Sequence, residues 1–162
     1  MAKKKEQKTN VMRILDQHKV EYKHYDYTDT GAVSGVDVAK AMGENPSQVF
    51  KTLVTKGKTG TNYVFVLPSD QELDLKKAAK AAGEKSIEML KSKELLPLTG
   101  YIHGGCSPIG MKKFFTTFIH KSAEDFETII FSGGKVGQQV ETTTEGLAKV
   151  IRFEFKDLIA EK

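Results

Sequence analysis

The chain of 162 residues is poor in several residue types, and each shortage excludes a class of protein. Its single cysteine, Cys106, excludes an intramolecular disulfide and a cysteine-rich metal site. The four histidines are scattered without His-x-x-x-His spacing, and the chain has no Cys-x-x-Cys motif. We therefore expect no metal centre and no cofactor. No run of about 18 apolar residues is present, and no apolar segment follows the basic start. We therefore expect a cytoplasmic protein with no membrane partner.

Excess charge of one sign is also lacking outside the N-terminus. The net charge is +4, from 25 basic and 21 acidic residues. Residues 1–10 carry Lys3, Lys4, Lys5, Lys8 and a single acid, Glu6, so the remainder is nearly neutral. This balance excludes a strongly basic domain that coats nucleic acid, and we expect no DNA partner. A transient RNA contact through the lysines stays open beside simple solubility. We predict a basic flexible tail over 1–10 and one domain over 11–162.

The hydrophobic fraction of 39% and the charged fraction of 28% are typical of a globular domain. The periodicity predicts about seven short strands and about five helices that do not alternate regularly, which argues against a doubly wound parallel sheet. We expect a single mixed α/β domain around a strongly curved sheet. Three local predictions are specific: a strand over 20–28 with a bulge near Lys23, a helix over 87–93 capped by Ser86, and a chain break at Pro97.

The stretch that draws most attention runs from Gly100 to Gly110 and reads GYIHGGCSPIG. It holds four of the 14 glycines and one of the four prolines. Glycine allows close approach of the backbone to a ligand, so Gly104 and Gly105 could present bare N–H groups to an anion or a carbonyl. The alternative is a tight turn between strands. A second glycine cluster at 132–137, SGGKVG, strengthens the interpretation as a site.

One cation and one thiol complete the candidate chemistry. Lys51 shares a strand face with Val49 and Leu53, so it either extends past the apolar surface or points into a polar pocket. Cys106 could be a nucleophile only with His103 as its base, and a small residue packed in a turn is the simpler interpretation. What survives is a site with backbone donors and a lysine but no evident nucleophile. Such a site suits a substrate that is already reactive.

Four ordered motifs resemble the YbaK/EbsC family, and the similarity extends from about Val11 to about Ile159. They are FKTLV at 50–54, LDLKKAA at 73–79, the glycine stretch at 100–110 and SGGKVG at 132–137. The resemblance implies a barrel-like core flanked by short helices. It also implies a trans-editing deacylase that removes cysteine from mischarged Cys-tRNA(Pro). Its partners would be the mischarged tRNA and prolyl-tRNA synthetase, in a ternary complex.

The resemblance also assigns roles by position. Lys51 would orient the aminoacyl ester or the terminal ribose-phosphate, and the N–H groups of Gly104 and Gly105 would hold the developing oxyanion. The residues implied for substrate binding are Tyr27 (or Tyr25), Thr52, Ser107, Gly110, Ser132, Gly133 and Gly134. The family has an acidic residue where this chain has Gln139, which is a departure from the pattern.

The mechanism implied by the resemblance needs no protein nucleophile. The thiolate of the substrate cysteine would attack its own carbonyl and leave as a cyclic thiolactone, so Cys106 would only line the site. Two alternatives stay open. One is a deacylase for Ala-tRNA(Pro) or another small aminoacyl-tRNA, and the other is a non-catalytic module that binds tRNA or a protein partner.

Overall fold

A computed structural model describes residues 8–161, so most of the predicted tail lies outside the described residues. The α-helices are α1 (Asn10–Gln17), α2 (Gly35–Met42), α3 (Leu75–Ala82), α4 (Ser92–Thr99) and α5 (Thr144–Ala148). The strands are β1 (Lys23–Asp26), β2 (Phe50–Gly57), β3 (Asn62–Pro68), β4 (Ile87–Met89), β5 (Thr116–His120), β6 (Ile129–Ser132), β7 (Gln138–Thr142) and β8 (Glu154–Lys156). No helix among the described residues is long and apolar enough to cross a membrane.

The strands form two sheets that touch at one point. The larger sheet has the order β4-β2-β3-β5-β8, with antiparallel pairing on both sides of β2 and parallel pairing on both sides of β5. The smaller sheet, β1-β7-β6, is antiparallel. A parallel bridge between Val49 and Ile130 joins them. The mixed α/β prediction is confirmed, although the two sheets do not close into a barrel.

The core forms where β3 runs through the middle of the larger sheet. Val64, Phe65, Val66 and Leu67 are fully buried, because β3 has neighbours on both faces. Val64 and Val66 pack in one cluster with the apolar face of α1, and Phe65 stacks on Phe118 of β5 at a ring separation of 5.5 Å. Each such side chain contributes about 1.5–3 kcal/mol by burial. This core fixes β2, the strand beside the cavity described below.

Short-range signals place the helices well. Thr9, Ser34 and Asp74, which are residue types typical of N-caps, each accept a hydrogen bond from a backbone N–H of the following turn. Such a cap stabilises a helix by about 1 kcal/mol. Helix α2 ends at Gly43, which takes a left-handed conformation with φ +68°. The next N–H, that of Glu44, returns to the carbonyl of Ala39 at 2.8 Å, so the chain turns sharply there.

Three local predictions are wrong. Residues 87–89 form β4 rather than a helix, because they pair with the far end of β2 from Thr55 to Gly57. Pro97 lies inside α4, where its missing N–H removes one backbone hydrogen bond without ending the helix. The β1–β7 register runs without interruption from Lys23 to Asp26, so there is no bulge.

Candidate active site

A cavity of about 680 Å³ opens where β2 and β6 part. The two strands meet at the Val49–Ile130 bridge and then diverge, and β4 pairs with β2 only from Thr55 onward. The gap between these two pairings is the cavity. Its volume lies within the range of about 300–1,000 Å³ that is usual for small-ligand sites. The polar and reactive side chains that line it include Tyr27, Lys51, Thr52, His103, Cys106, Ser132 and Gln139.

Thr52 turns unpaired polar groups towards this gap. The carbonyl of Gln48 accepts from the N–H of Ile130, and the carbonyl of Val54 accepts from the N–H of Leu90, each at 3.1 Å. Backbone groups alternate in direction along a strand, so the even-numbered residues of β2 direct theirs away from β3. Thr52 lies between them, where neither β6 nor β4 pairs with β2. Its hydroxyl is buried and has no hydrogen-bond partner within residues 8–161. Since buried polar groups are normally paired, these groups are suited to a ligand.

Lys51 supplies the cation of the cavity. It is half-buried on β2 opposite Leu67, and it belongs to no ion pair among the described residues. Burial lowers the pKa of Lys51, while the more distant charges of Glu72 and Asp70 oppose that shift. The ammonium group is therefore free to meet an oxyanion or a phosphate of a ligand.

The glycine stretch contributes Gly104 rather than Gly105. Gly104 lines the cavity with φ +87°, and its N–H has no acceptor in the described part of the chain. A Cβ placed on it would come within 3.0 Å of Val33. The N–H of Gly105 already donates to the carbonyl of Ile102 at 3.0 Å. Of the two glycines expected to serve as oxyanion donors, only Gly104 thus has an N–H without an acceptor among the described residues.

The remaining residues of this stretch hold its shape. Ser107 is fully buried, and its hydroxyl accepts from the N–H of Ile109 at 3.3 Å. Tyr101 donates to the carbonyl of Ile109 at 2.5 Å, which ties the two ends of the loop together. Gly110 faces α1, where an added Cβ would lie 3.1 Å from the side chain of Ile14. Ser107 and Gly110 are not among the residues that line the cavity.

The second glycine turn packs against the first. Ser132 lines the cavity, and its hydroxyl accepts from the N–H of Gly134 at 3.1 Å. The N–H of Gly133 donates to the carbonyl of Gln138 at 2.9 Å. A Cβ on Gly105 would come within 3.1 Å of the backbone of Val136, so the two turns are in close contact. Gly133 and Gly134 therefore shape the wall, while Ser132 reaches the cavity.

Cys106 is not activated. It is buried, and burial raises the pKa of its thiol to about 12. The described residues give it no hydrogen-bonded base, since His103 makes no hydrogen bond to it. The thiol stays protonated at neutral pH and cannot act as a nucleophile. No group of three His, Cys, Asp or Glu side chains within residues 8–161 could hold a metal ion.

The two candidate tyrosines take different places. Tyr27 is only 3% exposed and lines the cavity, anchored by its N–H to the carbonyl of Gly137 at 2.7 Å. Tyr25 donates its hydroxyl to Glu141 at 2.5 Å. That hydrogen bond, together with burial, raises the pKa of Tyr25 to about 12. Of the two, the structure thus places Tyr27 at the cavity.

Glu44 is the residue that sequence reasoning missed. Gln139 lines the cavity and is 3% exposed. With its amide nitrogen turned towards Glu44, it donates to the two carboxylate oxygens at 2.9 and 3.3 Å. Glu44 follows the end of α2 and is distant from Gln139 in sequence, so no local pattern links the two. The one available signal was Gln139 itself, as a departure from the family pattern.

Comparison with known proteins identifies the family of the chain. A 48% identical protein of Enterococcus faecalis, aligned over 160 residues and 98% of each chain, is named as a proposed Cys-tRNA(Pro)/Cys-tRNA(Cys) deacylase, EbsC. A proline–tRNA ligase of Pelobacter propionicus is 32% identical over 77 residues, which are 48% of this chain and 13% of that much longer enzyme.

Solved structures share the fold. The crystal structure of a proposed trans-editing enzyme for prolyl-tRNA synthetase superposes with a TM-score of 0.77 at 21% identity, covering 96% of this chain and all of the other. A hypothetical protein gives a TM-score of 0.83 at 18% identity over 94% of this chain. The model of the aminoacyl-tRNA editing domain matches residues 30–150. The chain therefore belongs to the aminoacyl-tRNA editing domain family.

Proposed function

We propose that this protein is an aminoacyl-tRNA deacylase that removes cysteine from mischarged Cys-tRNA(Pro). The observation that carries the proposal is the cavity in which the free ammonium of Lys51, the N–H of Gly104 and the unpaired groups of Thr52 come together. The chain's only cysteine is held as a thiol beside them. The 48% identical EbsC protein, named for this reaction, supports the proposal.

The reaction follows from what the cavity offers and what it lacks. The 3′ end of the tRNA enters with its ester carbonyl directed at Gly104 and Lys51. The thiol of the bound cysteine loses its proton to solvent, and its sulfur attacks the ester carbonyl carbon. A C–S bond forms and the ester C–O bond breaks, leaving its electron pair on the ribose oxygen, which takes a proton from water. The thiolactone departs and is hydrolysed to cysteine. Lys51 and Gly104 stabilise the intermediate oxyanion.

The choice of cysteine over alanine follows from the chemistry rather than from fit. Small side chains differ by only about 1–3 kcal/mol in a binding pocket. Alanine has no thiol, so its removal needs a water molecule and a general base. Among the lining residues of the cavity, the side chains that could act as a general base include the imidazole of His103 and the carboxylate of Asp37, and both residues are exposed. We therefore expect cysteine esters to react much faster than alanine esters.

A panel of mischarged tRNAs tests the proposal. Cys-tRNA(Pro), Cys-tRNA(Cys), Ala-tRNA(Pro) and Ser-tRNA would each be incubated with the protein, and loss of the ester would be followed. Rapid loss restricted to the cysteine esters supports the proposal. Faster loss of alanine would identify the other deacylase, and binding of tRNA without turnover of any ester would identify a non-catalytic module.

We further propose that the protein works beside prolyl-tRNA synthetase in the cytoplasm, where mischarged tRNA is made. Two observations support this: the local similarity to a proline–tRNA ligase, and the near-neutral charge outside residues 1–10, which is weak for independent tRNA binding. Sedimentation of the protein with tRNA(Pro), with and without the synthetase, tests the idea. A complex that forms equally well without the synthetase would contradict it.

A further inference from the structure

The wall of the cavity formed by β7 carries a buried amide. Gln139 sits in one row across the smaller sheet, between Tyr25 of β1 and Ser132 of β6. It is only 3% exposed and still lines the cavity, as does Ser132. A buried amide must satisfy both its nitrogen and its oxygen, so the partners of Gln139 decide what it presents to a ligand.

Glu44 satisfies the nitrogen. The turn after Gly43 brings its carboxylate against Gln139, whose amide nitrogen lies 2.9 Å from one oxygen and 3.3 Å from the other. The carboxylate thereby fixes the orientation of the amide, since it can only accept. The oxygen of Gln139 is consequently turned away from Glu44 and is left as a hydrogen-bond acceptor.

The negative charge behind Gln139 has no counter-ion. No lysine, arginine or histidine forms an ion pair with Glu44 in the described part of the chain. The charged or titratable groups that act on it belong to Tyr25 and Glu141, and Glu141 itself is bonded to the hydroxyls of Tyr25 and Thr128. Burial raises the pKa of Glu44, the hydrogen bond from Gln139 acts against this, and repulsion by Glu141 raises it further. A cation nearby would relieve this cost.

Lys51 is not the counter-ion of Glu44. The acids that act on it are Glu72 and Asp70, not Glu44. The cavity therefore has an unpaired ammonium on the β2 side and an acceptor backed by an unpaired carboxylate on the β7 side. An aminoacyl ester has the complementary arrangement, with an electron-rich carbonyl at one end and an α-ammonium group beside it.

We propose that Gln139 and Glu44 form the subsite for the α-ammonium group of the aminoacyl ester, an inference that rests on the proposed function. The oxygen of Gln139 accepts from the ammonium group. Glu44 is a positioning residue that locks the amide and supplies the opposite charge one layer behind it. Together with Lys51 on the other side, the pair orients the ester so that its carbonyl faces Gly104. Substrates without a charged amine, such as α-hydroxy acyl esters, are disfavoured.

The experiment compares two substrates that share the reacting thiol. One is Cys-tRNA(Pro), and the other carries the α-hydroxy analogue of cysteine on the same tRNA. The full-length wild type should prefer the amine by roughly 10- to 100-fold in kcat/KM, the worth of a hydrogen bond to a charged group. Intrinsic reactivity differs between the esters, so each variant is judged by the change in this ratio. E44Q should lose most of the preference, and E124Q, at an exposed glutamate that does not line the cavity, should keep it.

A swap variant separates this role from a purely structural one. E44Q/Q139E exchanges the carboxylate and the amide, so the hydrogen bond and the charge are both retained. It should regain the preference for the amine that E44Q loses. If E44Q folds and retains the full preference, or if the swap does not restore it, the inference is overturned.

A binding measurement keeps the inference distinct from the proposed function. Cysteine joined to 3′-amino-3′-deoxyadenosine by an amide cannot be cleaved as an ester, and its α-hydroxy counterpart lacks the charge. Calorimetry should show the wild type binding the amine roughly 10-fold or more tightly, and E44Q binding both alike. If the wild type cleaves no ester but shows this pattern, the proposed function fails and the subsite stands. Equal preferences in wild type and E44Q overturn the subsite whatever the turnover.

Discussion

Replacing Lys51 by methionine tests the centre of the proposed mechanism. Methionine keeps most of the aliphatic stem and removes only the ammonium group. In the native protein that group is half-buried and belongs to no ion pair among residues 8–161. Its charge therefore interacts with the substrate rather than stabilising the fold. Removing it should lower activity without lowering the free energy of unfolding by much.

The expected drop in kcat/KM follows from how far the Lys51 side chain is exposed to water. A unit charge about 4 Å from a developing oxyanion is worth about 4 kcal/mol at the dielectric of a protein surface. Because Lys51 is only half-buried, water screens part of this interaction energy. We therefore take the lower end of the range measured for loss of a single oxyanion donor, about 2.7 kcal/mol. We expect K51M to lower kcat/KM on Cys-tRNA(Pro) by about 100-fold. Its free energy of unfolding should stay within about 1 kcal/mol of wild type or rise, since a desolvated charge is removed.

Single-turnover deacylation and urea unfolding would be measured side by side. K56M is the matched control: Lys56 is an exposed residue five positions further along β2 and does not line the cavity. It should leave kcat/KM and stability nearly unchanged, within about 0.5 kcal/mol. An equal loss of activity in both variants, or full activity in K51M, would refute the assignment of Lys51.

Four further outcomes are expected. Plotted against pH, kcat/KM should rise as the substrate thiol ionises near its usual value of about 8.5. It should fall again as two cations lose their protons: the substrate α-ammonium group, which Gln139 and Glu44 are proposed to bind, and Lys51, whose pKa is lowered by burial. K51M should remove only the part of this fall that Lys51 causes. C106A should stay within about threefold of wild-type activity and lose about 1 kcal/mol of unfolding free energy, because the buried thiol only packs. T52V should fold as stably as wild type or better by up to about 1 kcal/mol, while deacylation drops about tenfold, since the hydroxyl lacks a partner until substrate binds. G104A and G83A both place a side chain at positive φ, costing about 1–2 kcal/mol each, but only G104A should impair activity, as Gly83 has open space around it and does not line the cavity.

Sequence reasoning succeeded where the signal is local. The caps at Thr9, Ser34 and Asp74 lie within three residues of the N–H groups that they satisfy. The alternation around Lys51 correctly indicated a strand on which a cation shares a face with apolar residues. Whether the Lys51 side chain meets solvent or a pocket depends on which element packs beside β2. That element is β6, which is about 80 residues away in the chain, so the local sequence cannot decide between the two.

It failed where partners far apart in the chain decide the outcome. Residues 87–89 form a strand because the edge of β2 is available to them, and nothing in the three residues indicates this. Gly105 was expected to offer its N–H, but the turn already uses that donor internally. Glu44 carries no local signal in the sequence, because its contact with Gln139 exists only once α2 is packed on the smaller sheet.

The position of the cavity explains why a site can exist here without a dedicated nucleophile. An unpaired stretch of strand edge is costly, since each buried polar group without a partner destabilises a protein by about 1–3 kcal/mol. Here the interruption is confined to the few residues of β2 between the bridge at Val49 and the pairing that begins at Thr55. The Thr52 hydroxyl and the Lys51 ammonium group are left unpaired within residues 8–161, so a ligand that pairs with them would gain free energy on binding. That energy can hold an ester in the one orientation from which its own thiol reaches the carbonyl, so the protein needs to supply position and charge but no attacking group.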